Sequence, residues 1–96
     1  MRANFLLGSL KITSEARKEL KRLPYDLVAR HAINEHGHIS RDEAQANLRG
    51  MKTLGAIISR YPADPTEPVR GVVVITTKAG WRETLIELHA TRITVV

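Results

Sequence analysis

The chain has 96 residues, contains no cysteine and carries a formal net charge of +5 at pH 7. This length suits a single domain, residues 1–96, with a modest core. Without cysteine there are no disulfides, thiolate nucleophiles or thiolate metal sites, so a reducing cytoplasm is the simplest predicted location. There is no apolar run of about 18 residues, so no membrane-spanning helix is expected, and the positive charge permits an acidic macromolecular partner.

The first predicted elements are a strand and a helix. Residues 9–13 alternate polar and apolar side chains, a pattern typical of a short strand. Thr13 or Ser14 can then cap a helix that is expected to end near Arg22. Pro24 lacks a backbone N–H and cannot continue that helix, so it predicts a break.

A second helix is predicted over residues 25–36, with Gly37 as a left-handed stop. On this helix His31 shares an apolar face with Leu27. A histidine on such a face is usually a hydrogen-bonded core residue. We expect that role for His31, oriented by Asn47 or by a backbone carbonyl.

The third predicted helix begins with a capping box. The Ser40 hydroxyl can accept from the backbone N–H of Glu43, whose carboxylate can reach back to the Ser40 N–H. The helical periodicity of apolar residues continues as far as residue 61, and a proline follows. One long helix is therefore expected over residues 41–61. Gly55 lies on its apolar face, where the missing side chain would let another backbone come close.

Three strands are predicted in the remainder of the chain. Residues 72–77 are apolar on both faces, which predicts a central strand. A turn over residues 78–80 leads into a strand over residues 81–88, and residues 91–96 form a last strand. The result is an α+β single small domain, order β-α-α-α-β-β-β. It has a three- to four-stranded, mostly antiparallel sheet with two or three helices on one face. The alternative is a helical winged unit, with residues 72–88 as the wing.

No catalytic signature is present. His36 and His38 lack a third ligand that the sequence places beside them, so neither a metal nor another cofactor is expected. Ser59 has no evident base and is expected late in a helix. Glu83 and Glu87 would lie about 13 Å apart along a strand, which fits no acid–base pair. The sequence therefore favours a protein that is not an enzyme.

Aromatic and cationic residues instead suggest a binding surface. Rings with cations beside them hold single-stranded nucleic acid, and the same residue types anchor protein interfaces. A third interpretation is that the aromatic rings only cover the edge of the core. The candidate macromolecule-binding residues are Arg49, Lys52, Arg60, Tyr61, Arg70, Lys78, Trp81 and Arg82. Arg49, Lys52 and Arg60 would form a basic flank on the long helix. Protein and nucleic acid both remain open as partners, and the oligomeric state is left open.

Short stretches spread over residues 7–88 form a recognisable set. They are Leu7-Gly8-X-Leu10 with Thr13, Ala29-Arg30-His31-Ala32 followed by Gly37, Asn47, Gly55, Ser59-Arg60-Tyr61 and Val74-Ile75-Thr76. In these stretches the chain resembles a group of small bacterial proteins associated with plasmids and phages, mostly uncharacterised. It departs from the group at Asn34-Glu35-His36-Gly37, where the group tends to have Gly-Asp-Trp-Gly, and at Thr77-Lys78, where acidic residues are usual. The resemblance implies a mobile-element context and no particular activity.

The stretch from Ile12 to Pro24, with the element order, is also similar to the first strand and helix of the RelE/ParE toxins. That resemblance implies a toxin, ribonuclease or other, with basic and catalytic residues on the last strands. Our expectation is a non-catalytic binding or accessory protein of a mobile genetic element. It would act through a basic, aromatic-containing surface. A RelE/ParE-like toxin and a DNA-binding winged-helix regulator are the alternatives.

Overall fold

A computed structural model of the chain describes residues 4–20, 23–64, 66 and 71–89. Its elements are β1 (Ser9–Ile12), α1 (Ser14–Leu20), α2 (Tyr25–Ala32), α3 (Arg41–Thr53), β2 (Ile57–Pro62), β3 (Val72–Thr77) and β4 (Glu83–His89). The α+β class and the β-α-α-α-β-β-β order confirm the prediction. The strand predicted over residues 91–96 lies outside the described residues, and the second strand in the order is instead β2.

The four strands form one sheet in the order β1-β4-β3-β2. β3 pairs antiparallel with both β2 and β4, whereas β1 runs parallel to β4. The sheet is therefore mixed, with antiparallel pairs in the majority. β3 is central, as its two apolar faces predicted. Because β3 and β4 are the inner strands of this sheet, they are not a wing, and the winged-helix architecture is wrong.

One face of the sheet carries the core. The register aligns Tyr61 with Val73 and Ile75 with Ile86, so these side chains point to the same side. Val28 of α2 joins them in one buried cluster, and the apolar residues Leu20 of α1 and Leu27 of α2 pack against it. Helices α1 and α2 thus cover this face, and burial of its apolar surface is the main stabilising term.

The helix predicted over residues 41–61 is wrong in its second half. The capping box forms as expected, but α3 ends at Thr53 and Leu54 adopts a left-handed φ of 57°. The β-branched pair Ile57 and Ile58 then favours an extended backbone. Pairing of β2 with β3 outweighs the continued helical spacing of apolar residues. Helix α2 likewise ends early, at Ala32 rather than near residue 36.

The outer edge of β2 is closed by a side chain and a loop. Asn47 of α3 donates to the carbonyl of Ile58 and accepts from its N–H, both at 2.9 Å. Two residues along, the Arg60 N–H donates to the carbonyl of His36 at 2.9 Å, and its carbonyl accepts from His38 at 2.8 Å. Unpaired edge groups recruit other strands, and these bonds remove that risk. They also fix α3 and the loop at residues 36–38 against the sheet.

Candidate functional site

A chain of buried hydrogen bonds runs across the core face of the sheet. His31 of α2 is fully buried, with Nδ1 2.6 Å from Ser59 Oγ on β2 and Nε2 2.9 Å from Thr77 Oγ1 on β3. Thr77 Oγ1 lies 2.7 Å from Thr84 Oγ1 on β4. Thr84 in turn donates to the backbone carbonyl of Leu7 at 2.6 Å. The hydrogen-bond chain that contains this imidazole therefore connects α2 to three strands.

The Leu7 carbonyl, at one end of this hydrogen-bond chain, sets the direction of the bonds, because a carbonyl only accepts. Thr84 gives it its hydroxyl proton, so Thr84 accepts from Thr77, which accepts from His31 Nε2–H. Burial, reinforced by neighbouring His36, lowers the pKa of His31 to about 3. The ring is therefore neutral with its single proton on Nε2, and its bare Nδ1 accepts from Ser59.

His36 occupies the outer end of the chain. Its Nδ1 is 2.7 Å from Ser59 Oγ, and its ring is half-buried. Since Ser59 has already given its proton to His31, the Nδ1 of His36 must donate to Ser59. Burial lowers the pKa of His36 as well, which favours the neutral ring. Its second nitrogen, Nε2, then carries a lone pair and acts as a hydrogen-bond acceptor.

His36 also lines an open hollow between the loop after α2 and the helix α3. The hollow has a volume of about 240 Å³. Its lining residues are Asn34, His36, Ile39, Ala44, Asn47, Leu48 and Met51. Most of these side chains are apolar, and Leu48 is 67% exposed. The arrangement offers a recess for an apolar group beside the imidazole of His36.

The candidate Tyr61 is a core residue. It is 1% exposed, its hydroxyl donates to the Glu35 carbonyl at 2.5 Å, and the Arg30 guanidinium carbon lies 4.8 Å from its ring centroid. The ring therefore offers no face for stacking with a partner. Its position matches the interpretation in which the aromatic residues cover the edge of the core.

The candidate Arg60 lies on β2, so the expected helical flank that includes it is wrong. Its guanidinium forms three hydrogen bonds of 2.8 to 3.1 Å with the Glu43 carboxylate of α3. These bonds hold the pKa of Glu43 below its usual value. Arg60 thus ties β2 to α3. The candidate Arg70 lies outside the described residues.

The remaining candidates lie on α3 and on the β3–β4 hairpin, which contacts the end of that helix. Trp81 Nε1 donates to the Gly55 carbonyl at 2.8 Å, and the Gly80 N–H donates to the Leu54 carbonyl at 2.7 Å. The ring of Trp81 is half-buried, with its centroid 5.6 Å from that of Phe5. We call the resulting surface, formed by Arg49, Lys52, Lys78, Trp81 and Arg82, the basic surface.

The cations of the basic surface are exposed. Lys78 forms an ion pair with Glu83. Within the part of the chain that the structure describes, Arg49, Lys52 and Arg82 pair with no carboxylate. Three positive charges therefore remain available to a partner.

Sequence reasoning predicted the burial of His31 but not its partners. These are Ser59 and Thr77 rather than Asn47 or a carbonyl. Ser59 was expected on a helix, where its hydroxyl would meet no base. The sequence signal for a strand here is the β-branched pair Ile57 and Ile58, which favours an extended backbone.

Comparison of the chain with protein-family models, with curated proteins and with solved structures finds no match. Over the described ranges, no helix is long and apolar enough to cross a membrane. The same residues hold no group of three His, Cys, Asp or Glu side chains that could bind a metal ion.

Proposed function

We propose that the chain is a non-catalytic binding protein of a mobile genetic element and docks onto an acidic macromolecular partner through the basic surface. The observation that supports this proposal most directly is the pair of hydrogen bonds from Trp81 and Gly80 to the end of α3. These bonds join the β3–β4 hairpin to the end of α3, and both elements carry exposed cations. The resemblance to plasmid- and phage-associated proteins supports the mobile-element context.

An acidic protein fits this surface better than a nucleic acid. Leu48 and Leu54, on and directly after α3, are 67% and 54% exposed beside the cations. Protein interfaces combine apolar anchors with arginine and tryptophan in this way. Single-stranded nucleic acid needs several stacking rings, whereas Tyr61 is buried and Trp81 is half-covered.

Charge reversal tests the proposal. Lys52→Glu with Arg82→Glu changes the basic surface, and Arg17→Glu with Lys18→Glu makes the same charge change on the exposed face of α1. Host proteins retained by each immobilised variant are quantified after nuclease treatment. We expect a protein that the wild-type chain and the α1 control retain and the Lys52/Arg82 variant loses. Identical retention by both variants would contradict the proposal, and loss of all retention on nuclease treatment would indicate a nucleic-acid partner.

A second candidate is a RelE/ParE-like ribonuclease toxin. The observation in its favour is His36, whose Nε2 lone pair belongs to a ring that lines an open hollow. A neutral imidazole with a free lone pair is suited to general-base work. Incubation of RNA with the wild-type chain, His36→Ala and Arg82→Ala tests this function. Cleavage that a folded His36→Ala variant has lost would favour the toxin over the binding protein.

A further inference from the structure

The hydrogen-bond chain fixes which ring nitrogen of His36, a residue that lines the hollow, carries the proton. If His36 moved its proton to Nε2, its bare Nδ1 would face Ser59 Oγ at 2.7 Å, although the Ser59 proton is committed to His31. Two lone pairs would then oppose each other in a half-buried site, which is unfavourable. The neutral ring therefore keeps Nε2 as an acceptor.

The apolar lining accepts one side chain. Ile39, Ala44, Leu48 and Met51 contribute most of the lining, and the volume of about 240 Å³ is too small for a helix or strand. Methionine adapts its shape to different occupants. Interface pockets of this kind are filled by single aromatic anchors, and a tyrosine or tryptophan adds a polar N–H or O–H group.

The rim of the hollow is positively charged. Arg41 lies three residues before Ala44 and Lys52 four residues after Leu48, so both are neighbours of the lining on α3. Both are exposed, and no carboxylate of a described residue pairs with them. Lys52 also belongs to the basic surface, which therefore continues into the rim.

Among the described residues, two acidic groups close to this rim are already paired with arginines. Glu43 is held by Arg60, and Glu35 forms an ion pair with Arg30 at 3.6 Å. By helical spacing, Asp42 lies about 120° or more around α3 from each lining residue of that helix. A ligand at the rim therefore meets uncompensated positive charge, which favours acidic residues on either side of its anchor.

We propose that the hollow is an anchor pocket for a tyrosine or tryptophan side chain within an acidic segment of the protein partner. The ring packs on Leu48 and Met51, its O–H or N–H donates to His36 Nε2, and flanking carboxylates face Arg41 and Lys52. This inference rests on the proposed function, because it names the kind of partner segment that the basic surface receives.

The test uses synthetic peptides with three glutamates on each side of a central tyrosine, phenylalanine or alanine. Binding to the ¹⁵N-labelled full chain is followed by NMR titration. We expect the tyrosine peptide to bind about fivefold more tightly than the phenylalanine peptide, as one net hydrogen bond gives. The phenylalanine peptide should in turn bind more tightly than the alanine peptide, with shifts at His36, Leu48 and Met51.

Three variants separate the contributions. His36→Phe should reduce the tyrosine-to-phenylalanine ratio to about one, and Leu48→Ser, at an exposed position, should weaken both aromatic peptides toward the alanine peptide. Lys52→Glu with Arg82→Glu should weaken all three peptides and leave their order unchanged.

Equal binding of the three peptides, reduced by that double charge reversal, overturns the pocket but leaves the proposed function intact. Binding that no charge reversal changes counts against the function itself. If none of the peptides binds, the pocket is overturned, whether or not a single-stranded oligonucleotide of equal charge binds.

Discussion

The hydroxyl of Ser59 donates to Nδ1 of His31 across 2.6 Å in the interior of the domain. The two residues come from β2 and α2, so this bond fixes the helix on the sheet at one position. A buried polar chain stabilises a fold only when each member has a partner. Among the described residues, no buried side-chain nitrogen or oxygen lacks one. The series of hydrogen-bonded side chains can therefore lie within the core without a desolvation penalty for an unpaired group.

The burial of His31 predicts a pH-dependent stability. Its pKa falls from 6.5 in the unfolded chain to about 3 in the fold, so the unfolded state takes up the proton first. Stability should therefore be fully present above about pH 6.5 and decline as the pH falls toward 3, by up to about 1.4 kcal/mol per pH unit. Urea unfolding over this range, compared with His31→Asn, measures the contribution. The variant should be less stable at neutral pH and show a shallower decline; parallel curves would contradict the assignment.

Asn47 should be a major stabilising residue because it satisfies both backbone groups of Ile58 at the edge of β2. Asn47→Ala leaves an N–H and a carbonyl without partners, and we expect a loss of about 2–4 kcal/mol in the free energy of unfolding. Gln45→Ala removes an amide from the exposed side of the same helix and should change stability by less than about 0.5 kcal/mol. Equal unfolding midpoints for the two variants would disprove this role for Asn47.

Gly50 lies inside α3, where alanine would normally stabilise the helix by about 1 kcal/mol. Here a Cβ would lie 2.6 Å from the Ala56 carbonyl oxygen and 2.9 Å from Ile57 Cδ1. The turn from α3 into β2 would have to shift, so Gly50→Ala should destabilise the protein by about 1–3 kcal/mol. Thermal unfolding measures the sign of the change in stability. A raised melting temperature would show that the close contact at Gly50 does not destabilise the variant.

Local signals in the sequence predicted much of the fold. The capping box of α3 and the alternation in β1 depend on neighbouring residues. β2 depends instead on pairing with β3, because the apolar residues at 54, 58 and 61 have the spacing of a helix. The same limit applies to the site. The partners of His31 are 28 and 46 residues away in the chain, so its burial was predictable and its hydrogen bonds were not.

The central claim is that the buried hydrogen bonds run in one direction and leave Nε2 as an acceptor on His36, a residue that lines the hollow. The direct measurement is multiple-bond ¹⁵N–¹H NMR of the histidine rings in the uniformly labelled protein at neutral pH. We expect a single proton on Nε2 of His31 and a single proton on Nδ1 of His36. A proton on Nε2 of His36, with or without one on Nδ1, would contradict the direction of the chain and the acceptor that the anchor pocket requires.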